Sequence, residues 1–324
     1  MSDIKLSYVI TTYNKLPFLK EVIRLLIQNK KDDEEIVIAD GGSTDGTVEF
    51  LNQLYEEHKI DQFNSERDRG EAHGYNKTFM MAKGDLIKVI TDDDVFNYRA
   101  IHKMKDYMLT NPDIEVMCGN IISVNVMHSN TFFDYRKSYQ VWFEQWVNGE
   151  INACFFSCLP LLIRRKSLPL LGLFDTTFKH VDLEYSVRLT SQKRKLAFCT
   201  DVIVIGLVNE KSVSAQESSY TTIFQDELVR LNKRFNYEHR EGLKSAVIPW
   251  IRSAFFQKNK LLLKFADKFK LYTIKKTYYP EYNIRLQENI VIPANDIRLL
   301  FEYFENYIKN VKAETESIKM IVAG

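Results

Sequence analysis

The sequence predicts an α/β protein with a doubly wound sheet, followed by a C-terminal helical extension. Short apolar runs alternate with helical repeats over residues 5–91, which is the element order of a parallel sheet. Acidic residues end two of these runs. Beyond residue 215, helical periodicity dominates, glycine becomes rare and lysine is frequent.

The N-terminal part contains three predicted strands with helices between them. The short apolar runs predict strands at 5–12, 34–40 and 85–91. Apolar spacing predicts helices at 16–29, after the turn at 41–47, and at 71–82. Ligands of such sheets bind beyond the carboxyl ends of the strands. We therefore expect Asp40 and Asp92–Asp94, which end two strands, to face one crevice.

The remainder divides into a mixed segment and an extension. Between about 113 and 205, apolar runs predict strands at 114–126, 155–163 and 196–206, with a helix at 181–192. We place a boundary near 215, which gives a catalytic domain at 1–215 and a helical, partly basic extension at 216–324. Residues 228–280 hold thirteen Lys and Arg against three Asp and Glu, a net +10.

Composition restricts the classes of function. The net charge is +1 over 324 residues, which argues against a globally basic nucleic-acid-binding protein. There is no secretory leader pattern, and no window approaches eighteen uncharged apolar residues, so we expect a cytoplasmic protein. Basic and aromatic residues interleave at 250–276. Two interpretations stay open for them: a solvated helical bundle, or peripheral attachment to the inner face of an anionic membrane.

Three consecutive carboxylates, Asp92, Asp93 and Asp94, follow the third predicted strand. One acid would be explained as a cap of the following helix, but three adjacent like charges would not. Mg²⁺ and Mn²⁺ prefer carboxylate and phosphate oxygens, and a nucleotide diphosphate bridged by such an ion would relieve the repulsion. The run therefore indicates a metal and a nucleotide.

Three further segments carry candidate site residues. In "IVIADGGSTDGT", Asp40 can accept a hydrogen bond from a nucleobase or ribose, and the glycines allow close approach. In "SERDRGEAHGYNK", Arg67 or Arg69 can neutralise phosphate, although a solvated surface cation is equally consistent. In "FKHVDLEYSVRL", Asp182 and Glu184 lie at a predicted helix start, where simple capping is the alternative.

The order of these segments resembles the nucleotide-sugar-dependent glycosyltransferases of family two, over roughly residues 5–210. "SYVITTYNK" is similar to that family's opening S-V-V-I-P-T-Y-N, and "IVIADGGSTDGT" to V-V-D-D-G-S-T-D-G-T. "AKGDLIKVITDDD" is similar to A-x-G-D with the following Asp-x-Asp motif, and "GLFDTTFKHVDLEYSVRL" to the segment with the catalytic base. The resemblance implies the Rossmann-like GT-A fold with a mixed sheet. Its nucleotide-sugar half would span about 1–96 and its acceptor half about 97–215.

The resemblance also implies roles in the nucleotide pocket. Thr11 and Tyr13 would line the base pocket, and Asp40 would bind the nucleobase, commonly uracil. Asp68 would lie in the nucleotide pocket, with Arg69 as a further nucleotide-binding candidate.

For the acidic run, the family register places its usual first Asp at Thr91. It assigns Asp93 to the metal and Asp92 to the ribose or a metal-bound water. Asp94 would be a second metal ligand or a structural acid, and the register Asp92-x-Asp94 stays open.

The implied reaction is a single inverting displacement with Asp182 as the base, although Val181 stands where the family often has Glu. The donor would be a nucleotide sugar, with UDP-sugars favoured, a Mn²⁺ or Mg²⁺ ion as cofactor, and a glycan or lipid-linked hydroxyl as acceptor. The Q-x-x-R-W signature of processive synthases is missing, so we expect transfer of single hexosyl or N-acetylhexosaminyl units.

One alternative function is that of a nucleotidyltransferase, but "TTYNKLPFL" lacks the Gly-rich basic loop that such enzymes carry after their first strand. A non-catalytic membrane-binding or nucleic-acid-binding relative is the other.

Overall fold

The structure is a computed structural model, and it describes residues 4–125, 131–134, 136–209, 212, 220–237, 296–310 and 320–323. The strands are β1 (Leu6–Thr12), β2 (Glu34–Asp40), β3 (Gln62–Ser65), β4 (Leu86–Ile90), β5 (Val95–Phe96), β6 (Val116–Asn125), β7 (Thr131–Asp134), β8 (Leu162–Arg164), β9 (Leu196–Val208) and β10 (Met320–Val322). The helices are α1 (Leu16–Asn29), α2 (Thr47–Glu56), α3 (Glu71–Met81), α4 (Tyr98–Thr110), α5 (Arg136–Val147), α6 (Leu168–Leu171), α7 (Val181–Ser191), α8 (Tyr220–Phe235) and α9 (Ile297–Asn310).

The strands form one mixed sheet. Their order is β10-β9-β6-β8-β4-β1-β2-β3, with β5 paired to β9 and β7 paired to β6. The four strands β1 to β4 run parallel, as do β6 and β9, whereas β8 is antiparallel to both β4 and β6. Two antiparallel steps through β8 restore the original direction. The carboxyl ends of β1, β4, β6 and β9 therefore meet at one edge, and the predicted GT-A sheet is confirmed.

The N-terminal strands and helices that were predicted lie within about two residues of their predicted positions, whereas β3 was not predicted. Every residue of β2 is buried, as expected for a parallel strand covered on both faces. Helix α1 is amphipathic and buries Leu19, Val22, Ile23 and Leu26 against the sheet. Continuous apolar runs and helical spacing were sufficient signals here because the elements are packed regularly.

The strand predicted at 155–163 is wrong over most of its length, because β8 contains only Leu162–Arg164. Pro160 has no N–H group to donate to a neighbouring strand. The adjacent Leu159 uses its polar backbone groups elsewhere. Its N–H donates to Ser157 Oγ at 3.2 Å, and its carbonyl accepts from the buried Lys88 Nζ at 2.7 Å. Most of the segment therefore lies along the edge of the sheet and does not form a strand within it.

The described part of the C-terminal region is mostly helical, as predicted, but it also extends the sheet. Helix α9 buries Phe301 and Phe304 in the main core, and Phe301 lies against Phe18 of α1 with ring centroids 6.4 Å apart. The unpredicted β10 pairs antiparallel with β9. The domain boundary near 215 stays a prediction, and the segment 250–276 lies outside the described residues. Among the helices described, none combines the length and the apolar character needed to cross a membrane.

A buried ion pair joins α4 to the start of β2, at the end of the sheet away from the acidic run. Lys105 Nζ lies 2.9 Å from Glu34 Oε1 and 2.6 Å from Asp33 Oδ1, and the Glu34 side chain has no exposed area. Burial raises the pKa of Glu34, but hydrogen bonds from His102 and Lys105 outweigh it and lower the pKa to about 2. The charged form of Glu34 is therefore the stabilising one.

We expect Glu34→Gln to lower the free energy of unfolding by about 3 kcal/mol at neutral pH, because it leaves Lys105 without its buried partner. Asp33 retains part of the pairing, which keeps the loss at the lower end of the usual range. The difference from wild type should shrink as pH falls from 4.5 towards 2, where Glu34 becomes protonated. Urea denaturation of the variant and the wild type at each pH measures this difference in the free energy of unfolding. The control is Glu302→Gln, which breaks an exposed pair with Arg298. Equal losses in both variants would contradict the assignment.

Candidate functional site

A pocket of about 900 Å³ opens at the carboxyl ends of β1, β4, β6 and β9. Seven of the predicted site residues line it, together with Arg67, the alternative to Arg69 as a phosphate contact: Thr11, Tyr13, Asp68, Asp92, Asp93, Asp94 and Asp182. Two others do not. Asp40 is fully buried, and Arg69 is exposed without forming part of the pocket wall. The expected meeting of strand ends in one crevice is therefore observed, with these two exceptions.

The turn after β1 and the turn after β2 form one hydrogen-bonded unit. Asn14, in a left-handed conformation with φ 53°, donates its N–H to Ser43 Oγ at 2.8 Å. Its Oδ1 accepts from the Thr44 N–H at 2.8 Å, and Asp45 Oδ2 accepts from the Leu16 N–H at 3.0 Å. This unit holds Tyr13 at the pocket wall with 60% of its area exposed, so its ring face is available for stacking.

Asp40 organises the turn that follows β2. Its Oδ2 atom accepts from the N–H groups of Gly42 and Ser43, both at 3.0 Å, and from Ser65 Oγ at 2.6 Å. Its Oδ1 atom is buried and has no hydrogen-bond partner among the described residues. The predicted nucleobase contact needs such an acceptor at the pocket surface, whereas Asp40 lies behind the pocket wall, and the contact stays a prediction.

Glycines bring α3 against β1 at the wall of the pocket. A Cβ atom at Gly74 would overlap Thr11 Oγ1 and lie 2.9 Å from Thr11 Cβ. A Cβ atom at Gly41 would lie 3.1 Å from Asp68 Oδ2. Asp68 Oδ1 in turn accepts from the Gly70 N–H at 2.9 Å. The absence of side chains at both glycines therefore lets Asp68 and Thr11 share one wall.

We expect Gly74→Ala to destabilise the protein by about 1–3 kcal/mol, because the added methyl group forces α3 away from β1. Thr11 would be displaced with it, so binding of any ligand in the pocket should weaken. Gly206→Ala is the matched control for stability, since the nearest atom to its added Cβ lies 3.6 Å away. Thermal unfolding of both variants gives the test, and a Gly74→Ala midpoint equal to that of Gly206→Ala would refute the close packing.

The acidic run is not the cap of α4. Asn97 fills that position, and its Oδ1 accepts from the Ala100 N–H at 3.1 Å. Asp94 is held instead by the main chain of β9, since its Oδ1 accepts from the Leu207 N–H at 2.7 Å, while its Oδ2 accepts from Thr91 Oγ1 at 2.5 Å. Burial and then the charge of Asp93 raise the pKa of Asp94 to about 8. Its two engaged oxygens fit the structural-acid alternative that the sequence left open.

Asp92 and Asp93 share one cation. Lys15 Nζ lies 3.2 Å from Asp92 Oδ1 and 2.7 Å from Asp93 Oδ2, and Asn209 Nδ2 donates to the same Asp93 oxygen at 2.9 Å. Burial lowers the pKa of Lys15, but these two carboxylates outweigh it and raise the pKa above its usual value. Burial raises the pKa of Asp92 to about 6 even with Lys15 beside it. One lysine therefore faces three buried carboxyl groups.

This excess of negative charge fits a divalent cation at Asp92 and Asp93. In the described part of the chain, no three His, Cys, Asp or Glu side chains converge into a complete metal site. Mg²⁺ sites on phosphate ligands commonly use only one or two carboxylates, with phosphates and water supplying the rest. The donor set therefore suits a metal that arrives with a diphosphate.

Asp182 and Glu184, both at the start of α7, differ in their access to the pocket. Asp182 lies in the first turn of α7 and lines the pocket, and its Oδ1 accepts from the Leu183 N–H at 2.9 Å. Burial raises its pKa. Glu184 is fully buried and paired with Arg188 at 2.8 Å. Only Asp182 is therefore placed to meet a ligand.

Several pocket residues were not identified from the sequence. Glu71, in the first turn of α3, lines the pocket with an exposed side chain, and desolvation followed by the charge of Asp182 raises its pKa. Lys179 and His180 also line the pocket, and Glu227 of α8 hydrogen-bonds to both. Lys15 could have been identified from the sequence, because it directly follows the "TTYN" segment. Glu71 and Glu227 carry no local signal, since only the folded chain brings them to Asp182.

The family profile described as Glycosyl transferase family 2 matches residues 7–171, which are 165 of the 324 residues. The chain belongs to glycosyl transferase family 2. The resemblance inferred from the four segments is thereby confirmed. The match covers β1 to α6, including the acidic run, and ends before Asp182.

Curated glycosyltransferases from bacteria show similarity to parts of this chain. Glycosyltransferase GlyG of Streptococcus pneumoniae is 25% identical over 134 residues, covering 41% of this chain and 44% of that protein. The chain spans 35% to 53% of the length of the first curated relatives it matches.

Two solved structures share the fold. Mannosyltransferase PcManGT from Pyrobaculum calidifontis, in complex with GDP-Man and Mn²⁺, superposes with a TM-score of 0.60 at 16% identity, covering 96% of this chain and 88% of that one. Residues 1–349 of S. aureus TarS, in complex with UDP-GlcNAc, give a TM-score of 0.54 at 15% identity, covering 74% and 69%. At such identities the likeness concerns the fold alone.

Proposed function

We propose that this chain is a metal-dependent, inverting glycosyltransferase that moves one sugar from a nucleotide diphosphate sugar to an acceptor hydroxyl, in glycan or polysaccharide biosynthesis. One observation carries the proposal: Asp182 and the acidic run Asp92–Asp94 line the same pocket, at the strand ends where such folds bind ligands. A base and a cation-binding carboxylate cluster are the two groups that this reaction needs.

The donor pocket is assigned to the wall formed by β1, the turn after β2 and the start of α3. Tyr13 would stack on the nucleobase, Asp40 would accept its N–H group, and Thr11 and Asp68 would contact the nucleotide. Arg69 is left as a phosphate contact from outside the pocket wall. The two solved structures of similar fold are in complex with UDP-GlcNAc and with GDP-Man, so uracil and guanine are both candidate nucleobases. The family resemblance favours UDP-sugars.

A divalent cation, Mn²⁺ or Mg²⁺, would be held by Asp93, with Asp92 beside it and Asp94 as the further candidate. When bound, such an ion neutralises charge on the departing diphosphate. Lys15 and Asn209 both donate to Asp93 Oδ2, at 2.7 and 2.9 Å, which fixes the orientation of the carboxylate and leaves Oδ1 as the oxygen for the ion. The mannosyltransferase of similar fold is in complex with Mn²⁺, which supports the choice of ion.

Asp182 would act as the general base. Its carboxylate would take the proton of the acceptor hydroxyl as that oxygen attacks the anomeric carbon of the donor sugar. The attacking oxygen and the departing diphosphate lie on opposite sides of that carbon, so the configuration inverts. The Oδ1 atom is held by the Leu183 N–H, which leaves Oδ2 for the acceptor.

Membership of the glycosyltransferase family favours sugar transfer over nucleotidyl transfer, and a non-catalytic relative would not need the Asp182 carboxyl that lines the pocket. Transfer of single sugar units and a glycan or lipid-linked acceptor remain part of the proposal. Contact with a membrane through 250–276 is a hypothesis that concerns residues outside those described.

Incubation with a panel of UDP-, GDP- and dTDP-sugars tests this function, with water or an added glycan or lipid-linked alcohol taking the sugar and with nucleotide release measured in Mn²⁺ and in EDTA. We expect one nucleotide class to be cleaved, with UDP-sugars first, and only in the presence of metal. Release that is equal in EDTA would refute metal dependence, and no release from any donor would refute the proposed activity.

A further inference from the structure

Helix α8, from the C-terminal region, packs against the loop that leads to Asp182. A second small hydrophobic cluster joins them, and it consists of Ala153, Phe178, Leu183, Val187, Leu228, Leu231 and Tyr237. Arg230 lies over the Phe178 ring at 3.9 Å and donates to the Thr177 carbonyl at 3.1 Å. Arg234 lies 3.5 Å from Asp175. The loop at 175–180 is therefore held along its length by one helix.

Glu227 is the centre of this contact. Its carboxylate is buried and accepts three hydrogen bonds from the loop: from the Lys179 N–H at 2.5 Å, the His180 N–H at 3.1 Å and His180 Nδ1 at 2.7 Å. Phe224 covers the other side of the His180 ring, with ring centroids 5.0 Å apart. A buried carboxylate with three donors fixes both the backbone and the ring of the residue that precedes α7.

This contact lies directly behind the pocket wall. Lys179, His180 and Asp182 all line the pocket, and the His180 carbonyl accepts the Glu184 N–H at 3.3 Å as α7 begins. The position of His180 therefore determines where α7 begins and where the Asp182 carboxylate points.

We propose that Glu227 is a positioning residue for Asp182, acting through the backbone of Lys179 and through His180. The inference rests on the proposed function, in which Asp182 is the base. A carboxylate suits this role because both of its oxygens accept, whereas a Gln at this position would turn one acceptor into a donor and leave a loop N–H group without its partner.

The same contact sets the proton affinity of the base. Burial raises the pKa of Asp182, the charge of His180 lowers it, and the charge of Glu227 raises it. Among the residues that the structure describes, Glu71 from α3 and the Cys158 thiol also interact electrostatically with Asp182, and Lys179 lines the same pocket. Removing the Glu227 charge therefore makes Asp182 a weaker base, and removing His180 has the opposite effect.

The test compares Glu227→Gln with Asp226→Asn, the same change of charge at the adjacent, exposed residue. We expect Glu227→Gln to lower kcat by about tenfold to a hundredfold, as small misplacements of reacting groups do, with an unchanged donor KM. The acid limb of the kcat profile should move to lower pH. In His180→Phe, which keeps a ring against Phe224, it should move to higher pH. Wild-type kcat and an unmoved acid limb in Glu227→Gln would overturn the inference.

Hydrogen–deuterium exchange of the peptide 175–182 separates this inference from the proposed function. We expect faster exchange in Glu227→Gln than in wild type or Asp226→Asn, and this readout needs no turnover. If wild type fails to transfer sugar, the proposed function fails, yet faster exchange would still support positioning by Glu227. Exchange equal to that of Asp226→Asn would overturn the positioning role in either case.

Discussion

Asp182→Asn is expected to lower kcat by about a thousandfold, within the range that a general base contributes, while donor affinity changes little. The amide keeps the size of the carboxylate, and its oxygen can still accept the Leu183 N–H bond. It cannot accept a proton from the acceptor. In wild type the rate should rise with pH through the pKa of Asp182, which burial raises above the ordinary 3.8. Steady-state transfer assays and donor titrations measure the two effects separately.

Glu71 provides the sharpest comparison, because it is a pocket carboxyl whose charge interacts with that of Asp182, and its pKa is raised. Glu71→Gln should retain transfer within about tenfold of wild type, since removing this acid leaves the Asp182 carboxylate in place. Asp106→Asn, at an exposed position of α4, controls for general effects of losing a charge. Transfer that survives in Asp182→Asn and is lost in Glu71→Gln would move the role of base to Glu71.

Asp93→Ala is expected to weaken Mn²⁺-dependent binding of UDP by at least tenfold to a hundredfold. Losses of this size are typical for residues that merely support a metal ligand, and a direct ligand should matter at least as much. Lys15 Nζ lies closer to Asp93 than to Asp92, so in this variant Lys15 loses its shorter ion pair and pairs with Asp92 alone. Calorimetric titration with UDP, in Mn²⁺ and in EDTA, gives the affinities.

Asp94→Asn and Asp113→Ala complete the Asp93 experiment. Asp113 lies exposed beyond α4 and should leave binding unchanged. Asp94→Asn distinguishes the two roles proposed for Asp94. A structural acid should lower stability more than metal affinity, because both of its oxygens accept bonds from Leu207 and Thr91. If Asp94→Asn rather than Asp93→Ala removed metal dependence, the ion would belong to the other register.

The N-terminal half of the fold was predictable because its elements are regular. The run from Glu34 to Asp40 is buried on both faces, and its central residues 36–39 are all apolar. The acidic run was recognisable because three adjacent charges at a strand end are costly without a cation, and no capping role accounts for them: Asn97 fills that position.

Other parts of the fold and of the site depend on contacts between distant segments, so no local sequence pattern predicts them. The segment 155–163 is as apolar as a strand, but Pro160 and the bonds of Leu159 keep most of it out of the sheet. Strand β10 is a three-residue edge strand whose partner, β9, lies more than one hundred residues earlier in the chain. Likewise, Glu227 reaches the pocket wall only because α8 packs on α7. The residues around Glu227 show only the pattern of an ordinary amphipathic helix, which gives no sign of this contact.

The anomeric configuration of the product tests the central claim most directly. Transfer from an α-linked UDP-sugar, or from the best donor of the panel, can be followed by ¹H NMR at early times in the presence of Mn²⁺. We expect the β-linked product to form first, with no product in EDTA, since Asp182 directs the acceptor to the face opposite the diphosphate. A product that retains the α configuration, or equal turnover in EDTA, would contradict a metal-dependent inverting transfer in this pocket.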